Sequence, residues 1–330
     1  MKTLRLACAS AMLVSLSALF PVQTHAQGSQ RVVTIVVPYA TGGGTDAVAR
    51  LVAASMARSL NRSVIVQNAT GAGGTIANDR VARSAPDGTT VLINHTGLLS
   101  APSLFKNLTY DTKTAFQPIG LVNTAPLLLI GKKSIPGSGP QDFVAWMKAQ
   151  GANMVIAHGG IGTNTHLCGV LIGNLLGFKP NFVGYRGSGP AITDLVGGHA
   201  DLLCDQVPSA LPHVRAGSLH GIAVTSAARL EQAAEIPTAV ELGMPGMVYT
   251  FWHGLYVARG TPPATVAELN AALRAAVSDP EIRARLQGLG TDTFPDDRMS
   301  PEAHAALFAE DLERITKLIE SAGITAEDAG

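Results

Sequence analysis

Again and again in this chain of 330 residues a strand-like apolar run meets a glycine-rich loop and then a helix-patterned stretch. "VVTIVV" (32–37) is a continuous β-branched run, as suits a strand buried on both faces. The loop "TGGGTD" follows, then "DAVARLVAASMARSL", whose apolar residues recur at helical spacing. "SVIVQ" (63–67) opens the next unit, with the loop "NATGAGG" and the helix "TIANDRVARSA". Pro86-Asp87-Gly88 forms a turn before a third strand, "TTVLIN" (89–94). The middle of the chain repeats this plan. It runs "NMVIA" (153–157), loop "HGGIGTNT", helix "HLCGVLIGNLL", then "NFVGY" (181–185), loop "RGSGP", helix "AITDLVGG" and strand "ADLLCD" (200–205). The two stretches lie about 120 residues apart and share architecture, not residue identity. Strands alternating with helices imply parallel sheets flanked by helices, so the class is α/β, with two lobes.

Two long apolar segments, 115–132 and 249–263, are placed to cross between the lobes. The C-terminal part has helical periodicity and most simply completes the first lobe. The expected organisation is therefore lobe 1 from residues 27–124 and 250–330, and lobe 2 from 125–249. Ligands of such proteins bind at the carboxyl ends of the strands, in the cleft between lobes.

Residues 1–26 read as a secretory signal peptide: a basic start at Lys2 and Arg5, an apolar stretch from Leu6 to Phe20, and a small-x-small end at Thr24-His25-Ala26. The stretch is too short and too rich in Ala and Ser for a membrane span. Export to the periplasm is the expectation. Without these residues 22 basic face 24 acidic residues, so no basic excess exists to attract nucleic acid. Cys168 and Cys204 remain. In an exported protein they can pair as a disulfide, or be two small buried hydrophobes.

Each glycine loop precedes a helix. A helix start offers unpaired N–H groups and the positive end of the dipole, and glycine lets an anion approach closely. "TGGGTD" lacks the lysine of a nucleotide P-loop, and "ATGAGGTIAND" lacks G-x-G-x-x-G spacing, so a carboxylate fits better than a phosphate. "AHGGIG" (157–162) resembles an esterase oxyanion loop, but no G-x-S-x-G elbow accompanies it. His158 and His166 are eight apart across a loop, which is not metal-ligand spacing on one helix. His95, His158, His166 and His253 are each readable as core or capping histidines. Asp46 and Asp205 could pair as acid and base, although Asp46 stands where an N-cap belongs. No catalytic residue, metal site or cofactor is expected.

Several motifs in order carry a family resemblance: "VPYATGGGTDAVAR" (37–50), "VQNATGAGGTIA" (66–77), "APDGTTVLI" (85–93), "GIGTNTHLCG" (160–169), "YRGSGPAITDLVGGHADLLCDQ" (185–206), "PHVRAGSLHGIAVTS" (212–226), "IPTAVELGMPG" (236–246) and "WHGLYVARGTPP" (252–263). The chain resembles, from about Arg31 to Ile324, the periplasmic solute-binding proteins of tripartite tricarboxylate transporters, the Bug family. The resemblance implies a two-lobed type II periplasmic-binding fold that closes on a small organic acid: a di- or tricarboxylate, an acidic amino acid or an aromatic carboxylate. It implies a monomer that delivers its cargo to membrane transporter subunits. Carried over residue by residue, the first-lobe loop supplies Tyr39, Thr41, Gly43, Gly44 and Asp46, and the third strand ends at Asn94 and His95. The second-lobe loop supplies Gly160, Gly162, Thr163 and His166, and Asp205 ends a second-lobe strand. The chain departs from the family at Gly184 before Tyr185, where Pro is usual, and at Cys168 and Cys204. "HLCG" with "LLCDQ" resembles a branch for which terephthalate or phthalate is plausible cargo. Two other readings are coupling of the same binding fold to a sensor kinase, and an exported hydrolase. Arg186 either clamps a second carboxylate or balances Asp194 or Asp201 at the surface. Trp252 either packs in the hinge or stacks on an aromatic ligand.

Overall fold

The structure, a computed structural model, describes residues 31–136, 139–321 and 323–326. The signal-peptide reading of residues 1–26 lies outside the described residues. The elements run in the expected alternation. The chain opens with β1 (Val33–Val37), α1 (Gly44–Leu60), β2 (Val64–Asn68), α2 (Thr75–Ala82), β3 (Thr90–Asn94), α3 (Thr96–Leu104) and β4 (Phe116–Lys132). Next come α4 (Pro140–Gln150), β5 (Val155–His158), α5 (Asn164–Leu176), β6 (Asn181–Gly184), α6 (Ser188–Val196), β7 (Leu202–Gln206), α7 (Val207–Arg215) and β8 (Leu219–Val224). The chain closes with β9 (Thr250–Ala258), α8 (Pro263–Ser278), α9 (Pro280–Gly288) and α10 (Pro301–Ser321).

The strands order as β2-β1-β3-β9-β4-β7-β5-β6, with β8 paired to β4. Parallel pairing joins β1 to β2 and β3, and β5 to β6 and β7. β1 is central in its group, and Val33, Ile35, Val36 and Val37 are fully buried. Each such side chain contributes about 1.5–3 kcal/mol to folding. The crossing segments form strands β4 and β9, which pair antiparallel with each other from Phe116↔Ala258 to Pro126↔Thr250. Beyond Pro126, β4 leaves β9 and pairs with β7 and β8 through Leu127–Lys132. One strand thus belongs to both groups, a continuity that the repeat alone does not reveal. Register shifts at Pro118/Gly120 and Leu121/Asn123 bend it. Where it changes partners, Thr124 exchanges two backbone hydrogen bonds of 2.8 Å with Asp292.

The cores divide in the same way. Val48, Val52 and Met56 of α1 pack with Leu269, Leu273 and Val277 of α8 over β1 and β3. Ile315 and Ile319 of α10 pack with Leu99 and Leu104 of α3 and with Tyr256 of β9. The second group has its own core, in which Ile156, Cys168, Ile172, Leu202 and Cys204 lie together. There Cys168 of α5 and Cys204 of β7 are joined by a disulfide, their Cα atoms 6.1 Å apart. This bond ties the helix of the second-lobe loop to β7, the strand that carries Asp205.

Candidate functional site

The first-lobe loop ends in α1, whose N-cap is Gly43, extended and without a side-chain cap. No side chain of its own loop caps this helix start. Asp46 is not the cap that its sequence position suggests. It stands in the first turn, buried, and its Oδ2 accepts from the Gly42 N–H at 3.0 Å, while Arg50 and the Asn68 amide hold its two oxygens at 2.9–3.0 Å. Burial alone would raise its carboxyl, but the bonds from Arg50, Gly42 and Asn68 keep it below the usual carboxylate value. Asp46 ties the loop down from behind. Thr41 is exposed and donates to Asn68 at 3.2 Å.

Tyr39 and His95 stack at 4.7 Å with their planes 9° apart. The Tyr39 hydroxyl donates to Asn94 Oδ1 at 3.0 Å, and Asn94 Nδ2 donates to Asn78. Asn94 is fully buried and spends its amide on this network. His95 caps α3 by accepting the Gly97 N–H at 3.2 Å, and burial drives its imidazole well below its ordinary value, so it is neutral. Behind them, Thr45 Oγ1 meets His253 Nε2 at 3.0 Å, and His253 Nδ1 meets Asn123 Oδ1 at 2.9 Å.

In the second lobe Thr163 caps α5, accepting the His166 N–H at 3.4 Å and donating to Gly160 O at 2.7 Å. His166 Nδ1 and His158 Nδ1 accept from the Gly162 and Gly160 N–H groups. Their rings lie tilted against each other at 4.6 Å and meet Phe182 edge-on, so they shape the loop from its other side. Burial pushes His166 down to about 3 and His158 to about 4. Asp205 is fully buried and takes hydrogen bonds from Ser188 at 2.5 Å and Ser209 at 2.6 Å. Burial raises its carboxyl above the ordinary value despite these donors. Its contact with the cleft runs through Ser188.

The loops of the two lobes meet. Ala40 N–H donates to Arg186 O at 3.0 Å, Ser100 Oγ to Gly162 O at 2.7 Å, and Gln206 Nε2 to Thr45 Oγ1 at 3.1 Å. Glycine is needed for this approach: a Cβ on Gly44 would lie 2.2 Å from Gln206 Oε1, and one on Gly73 2.4 Å from Ile161 O. Between the loops is a gap of about 10 Å3, room for about one water. Of the residues singled out in the sequence, Tyr39, Gly43, Gly44, His95 and Thr163 line it. Thr41, Asp46, Asn94, Gly160, Gly162, His166 and Asp205 do not line it. Arg186 is exposed; Asp194 instead accepts from Tyr185, and Asp201 pairs with Lys132. Trp252 donates to Asp311 at 2.6 Å and packs edge-on against His304, in the core with α10.

What the gap offers is backbone N–H groups, hydroxyls and amides. The first turns of α1 and α5 and the loop before α6 converge on it, and neither Lys nor Arg lines it. Asn164 lines it with a buried Nδ2 that has no partner among the described residues, while its Oδ1 holds the Thr165 N–H. Such a site suits an anion held by dipoles and amides.

The model of the tripartite tricarboxylate transporter family receptor matches residues 48–324. The chain belongs to this family. The UPF0065 protein in the TAR-I ttuE-ttuC' intergenic region of Agrobacterium vitis is 37% identical over 291 residues, 88% of this chain and 84% of that protein. The solved structure of the periplasmic binding protein BugD superposes with a TM-score of 0.85 at 36% identity, covering 90% of this chain and 99% of that one. MatC from Rhodopseudomonas palustris with bound malate gives 0.83 at 36% identity, covering 91% and 100%. The fold is thus the two-lobed one of periplasmic binding proteins, and the receptor is of the solute-binding type.

Sequence reasoning missed Thr45, Asn164, Thr165, Gly187, Ser188, Gly159 and Gln206 of this receptor's gap. A signal existed for most of them, since each adjoins a residue already singled out at a helix start. Gln206 adjoins Asp205, but nothing local aims its side chain at α1. Its amide reaches the gap only because β7 ends opposite α1.

Proposed function

We propose that the receptor captures a small dicarboxylate between the first turns of α1 and α5 in the periplasm and hands it to a tripartite tricarboxylate-type transporter. The observation that carries this reading is a lining of helix-start N–H groups, hydroxyls and amides with no carboxylate among them, including Asn164, whose Nδ2 is unpartnered. The malate bound by MatC, a relative of 36% identity, is ligand chemistry of the same kind. Gly43, Gly44 and Thr45 hold one carboxylate from the first lobe; Thr163, Asn164 and Ser188 meet the ligand from the second. Asp46, Asp205 and His166 fix the loops that present these groups. A ligand of this size needs the lobes to part from the 10 Å3 gap and close again. The pivot is where β4 changes partners at Thr124–Pro126 and where β9 begins at Thr250. In this reading the lobe boundaries are 124/125 and 249/250. Residues 1–26 are the export signal.

Isothermal titration against malate, adipate, succinate and phthalate tests the reading. Saturable binding of at least one, at one site per chain, is expected. Heats at the dilution level for all four would sink it.

A further inference from the structure

Each hydroxyl lining the gap between the lobes spends its proton on the protein. Tyr39 donates to Asn94 Oδ1 at 3.0 Å, an oxygen that also takes the His95 N–H. Ser188 donates to Asp205 Oδ1 at 2.5 Å. Thr163 donates to the Gly160 carbonyl at 2.7 Å. A hydroxyl has one proton, so in the 2.8 Å contact between Thr163 and Thr165 it is Thr165 that donates.

The proton of Thr45 is fixed from further away. Thr45 Oγ1 lies 3.0 Å from His253 Nε2, and His253 Nδ1 lies 2.9 Å from Asn123 Oδ1. An amide oxygen can only accept, so Nδ1 carries the ring proton. All three residues are buried, and burial pushes His253 down to about 3, so the ring holds one proton and no more. Nε2 is therefore bare and takes the Thr45 hydroxyl proton. What Thr45 turns to the cleft is an acceptor. Gln206 meets it as one, donating from Nε2 at 3.1 Å out of the opposite lobe. Parting the lobes withdraws that amide and bares the oxygen.

A ligand made of carboxylates alone brings lone pairs against this oxygen. Thr45 also stands in the first turn of α1, where no side chain caps the N–H groups. A carboxylate held by the Thr45 N–H has the substituent of its next carbon beside Thr45 Oγ1, because both groups belong to one residue. That substituent has to donate. No Asp or Glu lines the gap to balance an ammonium. Asp205 is enclosed by Ser188 and Ser209, and Asp46 by Arg50. An unpaired charge in a closed cleft is costly, so the donor is a hydroxyl.

Given the proposed dicarboxylate cleft, on which this rests, we infer that the cleft is built for a 2-hydroxy dicarboxylate. Thr45 accepts from the 2-hydroxyl in the place that Gln206 holds without ligand. His253 and Asn123 do not touch the ligand; they are positioning residues that keep Thr45 an acceptor.

Titration calorimetry with both enantiomers of malate, succinate, 2-methoxysuccinate and aspartate tests this. The better malate enantiomer should bind about tenfold or more tighter than succinate, since an unmet buried acceptor adds to the lost hydrogen bond. The methoxy compound brings the oxygen without the proton, and aspartate a proton with a charge, so both should bind no better than succinate. Thr45→Val and His253→Phe should each bring malate and succinate within about twofold of one another, whereas Thr45→Ser should keep them apart. The ratio is read within each variant, so a loss of stability does not move it. Nitrogen-15 spectra of the unliganded parent should show the His253 proton on Nδ1. Succinate, 2-methoxysuccinate or aspartate binding as tightly as malate overturns the inference and leaves the carboxylate cleft standing. So does a His253 proton on Nε2, or an unchanged ratio in Thr45→Val. If none of these acids binds, and adipate and phthalate do not either, the carboxylate cleft itself falls and the inference with it.

Discussion

Gln206, at the end of β7, donates from Nε2 to Thr45 Oγ1 at 3.1 Å across the cleft, although the two residues are 161 positions apart in sequence. Both are buried. Thr45 passes the bond on to His253 and Asn123, so the chain of donors and acceptors runs from the second lobe into the crossing strands. With the Gln206 amide standing over Gly44, the protein fills the start of α1 with its own side chain.

Removing that amide should loosen the closed arrangement. Gln206→Ala is expected to cost about 1 kcal/mol of the closed state's stability, the worth of one neutral hydrogen bond. Small-angle scattering should then report a larger radius of gyration than for the parent without ligand. An identical scattering curve would show that the bond does not hold the lobes.

Gly44→Ala tests closure from the other side. The added methyl would lie 2.2 Å from Gln206 Oε1 and 2.7 Å from Gln206 Cβ, so the lobes cannot meet as they do here. Gly44 opens α1, where alanine is by itself the better helix former. The expected outcome is a melting temperature at or above the parent's, with malate affinity reduced more than tenfold by titration calorimetry. Parent-like affinity would mean that the ligand-bound state leaves room at Gly44.

Asn164→Asp exchanges the unpartnered donor for a charged acceptor while keeping Oδ1 for the Thr165 N–H. A hydrogen bond to a charged group is worth about 1.5–3 kcal/mol. Affinity for a dicarboxylate should therefore fall by about 10- to 100-fold, with the fold unaffected. Binding as tight as the parent's would remove Asn164 from the site.

The buried histidines set an acid limit on stability. Burial lowers His158 to about 4 and His166, His253 and His304 to about 3, from an ordinary value of 6.5. Between those values the unfolded chain binds more protons than the folded one, so stability rises with pH across this window and is complete above about 6.5. Each such histidine contributes a slope of up to about 1.4 kcal/mol per pH unit. Asp46, with its carboxyl lowered, adds stability that is lost only below about pH 4. Melting temperatures should hold above pH 6.5 and drop steeply from pH 6 to pH 4. A flat profile to pH 5 would contradict the burial of these rings.

The disulfide closes a loop with a sequence separation of 36 residues. In the chain-entropy model such a cross-link stabilises by about 4 kcal/mol. Cys168→Ala with Cys204→Ala should lower the urea midpoint correspondingly, and reductant should do the same to the parent. Insensitivity of the parent to reductant under unfolding conditions would mean that the bond is absent.

Local chemistry made much of this receptor legible. A β-branched run favours a strand, and a glycine loop before a helical period marks a helix start. The alternation, the six strands read from these signals and the uncapped start of α1 all follow from neighbours in sequence. Hydrogen bonding between distant segments was not legible. Asp46 reads as a cap until Arg50, Asn68 and Gly42 are seen to share its carboxylate; Asp205 reads as a cleft residue until Ser188 and Ser209 enclose it. The continuity of β4 through both strand groups and the arrival of Gln206 at Thr45 depend on how the two groups pack. Side-chain period and turn chemistry act over a few residues, whereas a contact across the cleft is set by the rigid geometry of two sheets. For that reason the sequence identifies the kind of site, and the tertiary structure decides which atoms face it.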